Sequence, residues 1–208
     1  MTFGPARRLL AGLLALGWLA LLPRTIAAQE VAVPVSVQIP ILAKILNFDR
    51  KFAERAAGGL VVGVLFQSRY RTSANIAAEV CRTLKELPSG TIGALSSLEI
   101  SCIAIDLDAT TALDSALRRI GVRVLYVSPL RAVHLEDVAL VSRAAQITTV
   151  TGVPRYVETG LAIGVDLKGE RPQIVVNLAA SRAEGADLTA HLLKLARVVD
   201  SGAGTVAQ

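Results

Sequence analysis

Three short runs constrain this chain more than anything else in it: residues 60–66 (LVVGVLF), 100–107 (ISCIAIDL) and 122–127 (VRVLYV). In the first of them the apolar positions are consecutive rather than alternate. A strand wetted on one side alternates apolar and polar residues, whereas one covered on both faces is oily throughout, as in the middle of a parallel sheet. Helical spacing fills the intervals. Ile76, Val80, Leu84 and Leu87 line one face of a segment from about Ser73 to Leu87, which Pro88-Ser89-Gly90 ends. Leu113, Ala116, Leu117 and Ile120 form a second stripe, with Thr110 or Thr111 as its cap and Gly121 as its stop. Residues 135–145 form a third helix and 147–150 a fourth short strand. Strand and helix alternating in this way predict a parallel sheet with right-handed crossovers and helices on both faces.

The two ends differ from the middle. At the start, Pro40 suits a helix first turn, where its missing N–H costs nothing. Ile41, Leu42, Ile45, Phe48 and Phe52 then recur at helical spacing as far as Ala57, with Gly58-Gly59 as the stop. Residues 29–37 read as an extended lead-in. Near the end, residues 161–167 and 173–178 are strand-like and flank the turn Lys168-Gly169-Glu170-Arg171-Pro172, a hairpin. A last helix is predicted over 180–199, and residues 201–208 read as a disordered tail. The fold class is therefore α/β: a three-layer αβα sandwich with a mostly parallel central sheet, a C-terminal β-hairpin and a final helix, as one domain over 38–199.

Ahead of that domain lies an export pattern. A basic stretch with Arg7 and Arg8 precedes an apolar run of 14 residues, Leu9 to Leu22, which Pro23 breaks. A membrane-spanning helix needs about 20 apolar residues, so a run of this length reads as a secretory signal. Small residues at Ala27 and Ala28 place the cut after residue 28 and the mature chain in the periplasm. The formal charge of +5 falls close to balance once Arg7, Arg8 and Arg24 leave with the signal. With no basic stripe interleaved with aromatics, nucleic-acid binding is not expected. An oxidising compartment permits disulfides. Cys81 and Cys102 are the two cysteines; one bridge and two buried thiols are both open readings.

Reactive groups are few. The histidines are His134 and His191, and no Gly-x-Ser-x-Gly elbow, metal-ligand spacing or phosphate-binding glycine loop occurs. The chain reads as non-enzymatic, with no cofactor and no metal. In open α/β sheets ligands gather at the carboxyl ends of the strands. Ser68, Arg69 and Arg71 after the first strand, with Asp106 and Asp108 after the second, are the ligand-binding candidates there. Arg155 and Tyr156 are the partner-binding candidates, because Tyr and Arg are enriched at interface hot spots.

The segment from Thr149 to Val199 carries a resemblance. A glycine before a hairpin (Gly160), an Asn-x-x-Ala segment (Asn177, Ala180), Arg182 and Gly185, then Leu192, Leu193, Leu195, Ala196 and Val198, resemble the C-terminal half of the YfiR/HmsC-like periplasmic family. Further upstream the layout is similar, from starter helix through "IGVRVLYVSP". The family's starter helix ends near Trp-Pro, where this chain has Asn47 to Phe52. The resemblance implies an often dimeric αβα protein that binds the periplasmic part of a membrane sensor, restraining a diguanylate cyclase and thereby biofilm formation. The family also contains redox-sensitive disulfides, which the resemblance sets beside Cys81 and Cys102. The alternative is a periplasmic small-molecule-binding protein using the cleft at the strand C-terminal edge.

Overall fold

A computed structural model describes residues 31–88 and 99–199. The expected signal peptide and C-terminal tail lie outside the described residues. The first helix, α1 (Val35–Leu46), is followed by a short α2 (Phe52–Arg55). The alternation then runs β1 (Leu60–Phe66), α3 (Arg71–Lys85), β2 (Ile100–Asp106), α4 (Leu113–Ile120), β3 (Val124–Val127), α5 (Leu135–Ala144), β4 (Thr148–Thr151) and α6 (Pro154–Thr159). The chain closes with β5 (Ile163–Lys168), β6 (Arg171–Asn177), α7 (Leu178–Ala183), α8 (Ala190–Leu195) and β7 (Arg197–Val199).

One seven-stranded sheet takes the order β2-β1-β3-β4-β5-β6-β7. The first five of these are parallel, β6 runs antiparallel to β5, and β7 is parallel to β6. The α/β sandwich and the hairpin stand as expected, with Gly169 at positive φ (63°) in the turn.

Side chains alternate across each strand, and the alternation builds two cores. Val62, Val64, Val124 and Tyr126 face a cluster with Ile39, Leu42, Ile45 and Leu46 of α1 and Ala77 and Val80 of α3. Leu65, Leu125 and Val127 face another with Leu117 of α4, Val138 and Ala139 of α5, and Tyr156 of α6. Gly63 points at this second cluster: a Cβ there would stand 3.1 Å from side-chain atoms of Ile105, Leu125 and Val122. A methyl at that position fits only if those side chains give by a few tenths of an ångström.

Four expectations are corrected. Residues 35–37 are helical rather than extended, because α1 starts after Pro34 and carries Pro40 inside it. Pro40 has no N–H to give the Ser36 carbonyl, which belongs to an exposed residue. The starter helix does not continue to Ala57. It breaks at Asn47–Lys51, where the Asp49 side chain turns inward to accept from the backbone N–H groups of Lys51 (3.0 Å) and Asp187 (2.9 Å). Neither Thr110 nor Thr111 caps α4; the Thr110 hydroxyl donates to the Asp106 carbonyl at 2.6 Å instead. The last helix over 180–199 is two short helices and an edge strand. Gly185, at φ 86°, ends α7, Thr189 caps α8, and residues 197–199 join the sheet beside β6.

The Cys81–Cys102 pair is a disulfide, with Cα atoms 5.4 Å apart, fastening mid-helix α3 to edge strand β2. The edge position of β2 lets α3 lie close enough over it for the bridge.

Candidate functional site

The strand C-terminal edge gathers the predicted residues, and their polar atoms are turned on one another. Asp106 Oδ1 accepts from the backbone N–H of Ser68 and of Asp108, each at 3.0 Å. Asp108 Oδ2 accepts from the Arg69 N–H at 2.8 Å and from the Ser68 hydroxyl at 3.4 Å. Burial acts to raise the Asp106 carboxyl, but the Ser68 and Asp108 hydrogen bonds and the nearby Arg69 charge outweigh it and hold the group below its ordinary range. Arg71, in the first turn of α3, is exposed and has no side-chain bond among the described residues. Gln67 closes the neighbouring loop by accepting from the Arg131 N–H at 2.7 Å, and the Arg131 guanidinium lies over the Tyr70 ring at 4.1 Å.

Of the two partner candidates, Arg155 is exposed and Tyr156 is not. Tyr156 is 2% accessible, and its hydroxyl accepts from the Leu130 N–H at 2.8 Å and donates to the Leu130 carbonyl at 3.2 Å. It is a core residue pinning the loop after β3. An aromatic with a polar tip satisfies a buried backbone pair as readily as a partner surface, and sequence does not separate the two.

A polar hollow lies at the opposite edge, by the N-terminal ends of β3 and β4. It is open, has a volume of about 770 Å³, and is lined by Lys51, Glu54, Arg55, Arg123, Arg182 and Asp187, with Gln146, Gly185 and Ala186. The Asp49 turn puts α2 on one side of it, and Gly185 lets the chain turn sharply on the other. Arg55 organises the wall. Its guanidinium bonds the Asp49 carboxylate, the Thr148 hydroxyl (3.1 Å) and the carbonyls of Gln146 and Glu184 (3.3 Å each).

Behind that wall the Glu184 side chain is wholly buried. Its oxygens accept from the Thr149 N–H and the Thr149 hydroxyl, both at 2.7 Å. Burial pushes its carboxyl up to about 8, against the opposing pull of those Thr149 bonds and the charges of Arg143 and Arg55. Buried Nε atoms of Arg55 and Arg143 have no hydrogen-bond partner among the described residues.

Sequence reasoning missed this edge. Glu184 and Arg182 fall within the segment 180–199 expected as one helix, and Arg55 within the expected starter helix, so no local pattern brings them together. The usable signal was Arg123, a charge set inside the otherwise apolar run VRVLYV at its N-terminal end.

The parallel sheet and its two helical layers define an α/β sandwich with a polar hollow at one edge. Residues 95–197 match the YfiR/HmsC-like family. No protein of curated description matches it in sequence. Among solved structures, it is similar to an ABC domain in complex with L-Trp from Streptococcus pneumonia, with 15% identity, a TM-score of 0.54, and 80% of this chain and 60% of that one covered. The chain thus spans about 60% of the length of that structure. It is also similar to the open, ligand-free CD0873 from Clostridium difficile, a substrate-binding protein with adhesive properties, at 14% identity and a TM-score of 0.47, covering 73% of this chain and 58% of that one. At such identities the likeness shows the fold alone. No helix among the described residues is long and apolar enough to cross a membrane.

Proposed function

We propose that this protein is a periplasmic regulator that acts by binding a membrane sensor, and that its target is the periplasmic part of a diguanylate cyclase. The family match over residues 95–197 carries the reading. The composition suits it: the aliphatic residues are invested in two cores, while Leu140 and Leu195 are each 61% exposed and offer apolar contact area. Arg155, exposed on α6, remains the named contact residue. Recovery of a diguanylate cyclase with the tagged protein from membranes, and a rise in cyclic di-GMP on deletion, test the reading. Unchanged cyclic di-GMP with no cyclase recovered defeats it.

A second reading, a small-molecule binder, rests on the hollow between α2 and the turn at Gly185. Its volume of about 770 Å³ falls within the ~300–1,000 Å³ of small-molecule sites. Under this reading the ligand site is at the strand N-terminal edge, rather than at the C-terminal edge to which fold analogy pointed. A rise in melting temperature with a metabolite is its test.

A further inference from the structure

Resting on the small-molecule reading, we propose that the hollow takes a small soluble anion through Lys51, Arg123 and Arg182, and that the Glu184 carboxyl behind Arg55 governs its occupancy. The lining carries four cationic side chains against two carboxylates. Asp187 is already paired with Arg50 at 3.5 Å, and Arg55 is committed to Asp49. Lys51, Arg123 and Arg182 have no side-chain hydrogen bond or ion pair among the described residues, and against them stands the Glu54 carboxylate, so the space they border keeps a net positive charge. Cations lining one concave surface focus the field on its interior and favour an oxyanion or carboxylate there.

Glu184 is wired into that wall. It lies between Arg182 and Gly185, both of which border the hollow, and its carbonyl accepts from the Arg55 guanidinium. The groups facing its carboxyl are Arg55 from α2, with Asp49 behind it, Arg143 from α5, and the Thr149 hydroxyl and N–H from β4. With the carboxyl neutral, the positive charge of Arg55 and Arg143 is only partly offset, and it adds to the field in the hollow. With the carboxyl ionised, a fixed negative charge sits behind the same wall and opposes an incoming anion. Linkage makes the effect reciprocal, so a bound anion holds the proton on Glu184.

Calorimetric titration of the purified protein with sulfate and with succinate, at about pH 6.5 and about pH 9.5, tests both halves; the two pH values bracket the Glu184 transition near 8. The anions keep their charge over this range. Both are expected to bind at the lower pH and roughly tenfold more weakly at the higher. Glu184→Gln should bind as tightly at the higher pH as at the lower. Arg123→Ser with Arg182→Ser, at exposed positions that leave the core untouched, should lose at least roughly tenfold in affinity at the lower pH. A pH dependence kept in Glu184→Gln overturns the linkage. Absence of sulfate and succinate binding at the lower pH overturns the anion site, as does binding to phosphatidylglycerol vesicles without uptake of either free anion. If a neutral metabolite raises the melting temperature while these anions do not, the small-molecule reading stands and the anion site falls.

Discussion

The Tyr126 hydroxyl donates to Gln38 Oε1 across 2.9 Å, joining the middle of β3 to α1 inside an otherwise aliphatic core. Both residues are essentially inaccessible. The Gln38 amide nitrogen donates in turn to the Val33 carbonyl at the foot of α1. Burial drives the Tyr126 phenol well above its ordinary range, so it stays a donor at every working pH. Removing the hydroxyl orphans a buried acceptor, which costs roughly 1–3 kcal/mol. Tyr126→Phe is expected to lose about 2 kcal/mol in urea unfolding. Gly152→Ala should lose more, because a Cβ there would overlap the Gln38 amide. A Tyr126→Phe variant as stable as wild type contradicts the assignment.

How much of this was legible depended on whether periodicity or a long-range partner decided each feature. Residues 60–66 and the hairpin at Gly169 declared themselves, since a continuous apolar run and a turn glycine are local signals. The end of the chain did not. Leu188, Leu192 and Leu195 keep helical spacing, yet Gly185 breaks the helix and residues 197–199 pair with β6. Tertiary pairing overrode the pattern. Asp49 and Glu184 were equally opaque: each is polar in sequence and buried in the fold, and the groups that make burial tolerable, Arg55, Thr149 and the Asp187 N–H, are far away along the chain. At the strand C-terminal edge Ser68, Arg69, Asp106 and Asp108 read as free to meet a ligand, and nothing in the local sequence signals that they bond one another.

The Cys81–Cys102 bridge closes a loop with a sequence separation of 21 residues. A closure of that size restrains the unfolded chain by about 3 kcal/mol in the chain-entropy account. The bridge also fastens β2, whose outer edge has no neighbouring strand among the described residues. Cys81→Ser with Cys102→Ser is expected to lose about 3 kcal/mol in denaturant unfolding. Amide exchange should accelerate first in β2, since an edge strand opens more readily than the centre. Uniform acceleration across the sheet would contradict the role of a local staple.

Asp106 holds the β1–α3 loop through the Ser68 amide and its own turn after β2 through the Asp108 amide. The carboxyl is depressed in the folded protein, so its contribution is present above the ordinary carboxylate range and is lost as pH falls through the folded value. Asp106→Ala is expected to speed amide exchange at Ser68 and Asp108 by about tenfold while the β1 and β3 cores keep their protection. Wild-type exchange at those two amides in the variant refutes the lock.

Glu184 sets the opposite pH dependence. Its folded value stands near 8 against 4.5 for the free side chain. Between those values the native state binds more protons than the unfolded state, so stability falls as pH rises. The contribution is complete below about 4.5, is lost progressively, and is gone above about 8. Glu184→Gln keeps an oxygen for the Thr149 N–H and offers an N–H to the Thr149 hydroxyl, with nothing to ionise. Urea unfolding from about pH 5 to about pH 9 should show wild type losing stability across the range and the variant nearly flat. The variant should be the more stable of the two at about pH 9, where the wild type buries a charged carboxylate. Parallel profiles for the two proteins would mean that Glu184 carries its charge in the fold as it does in water.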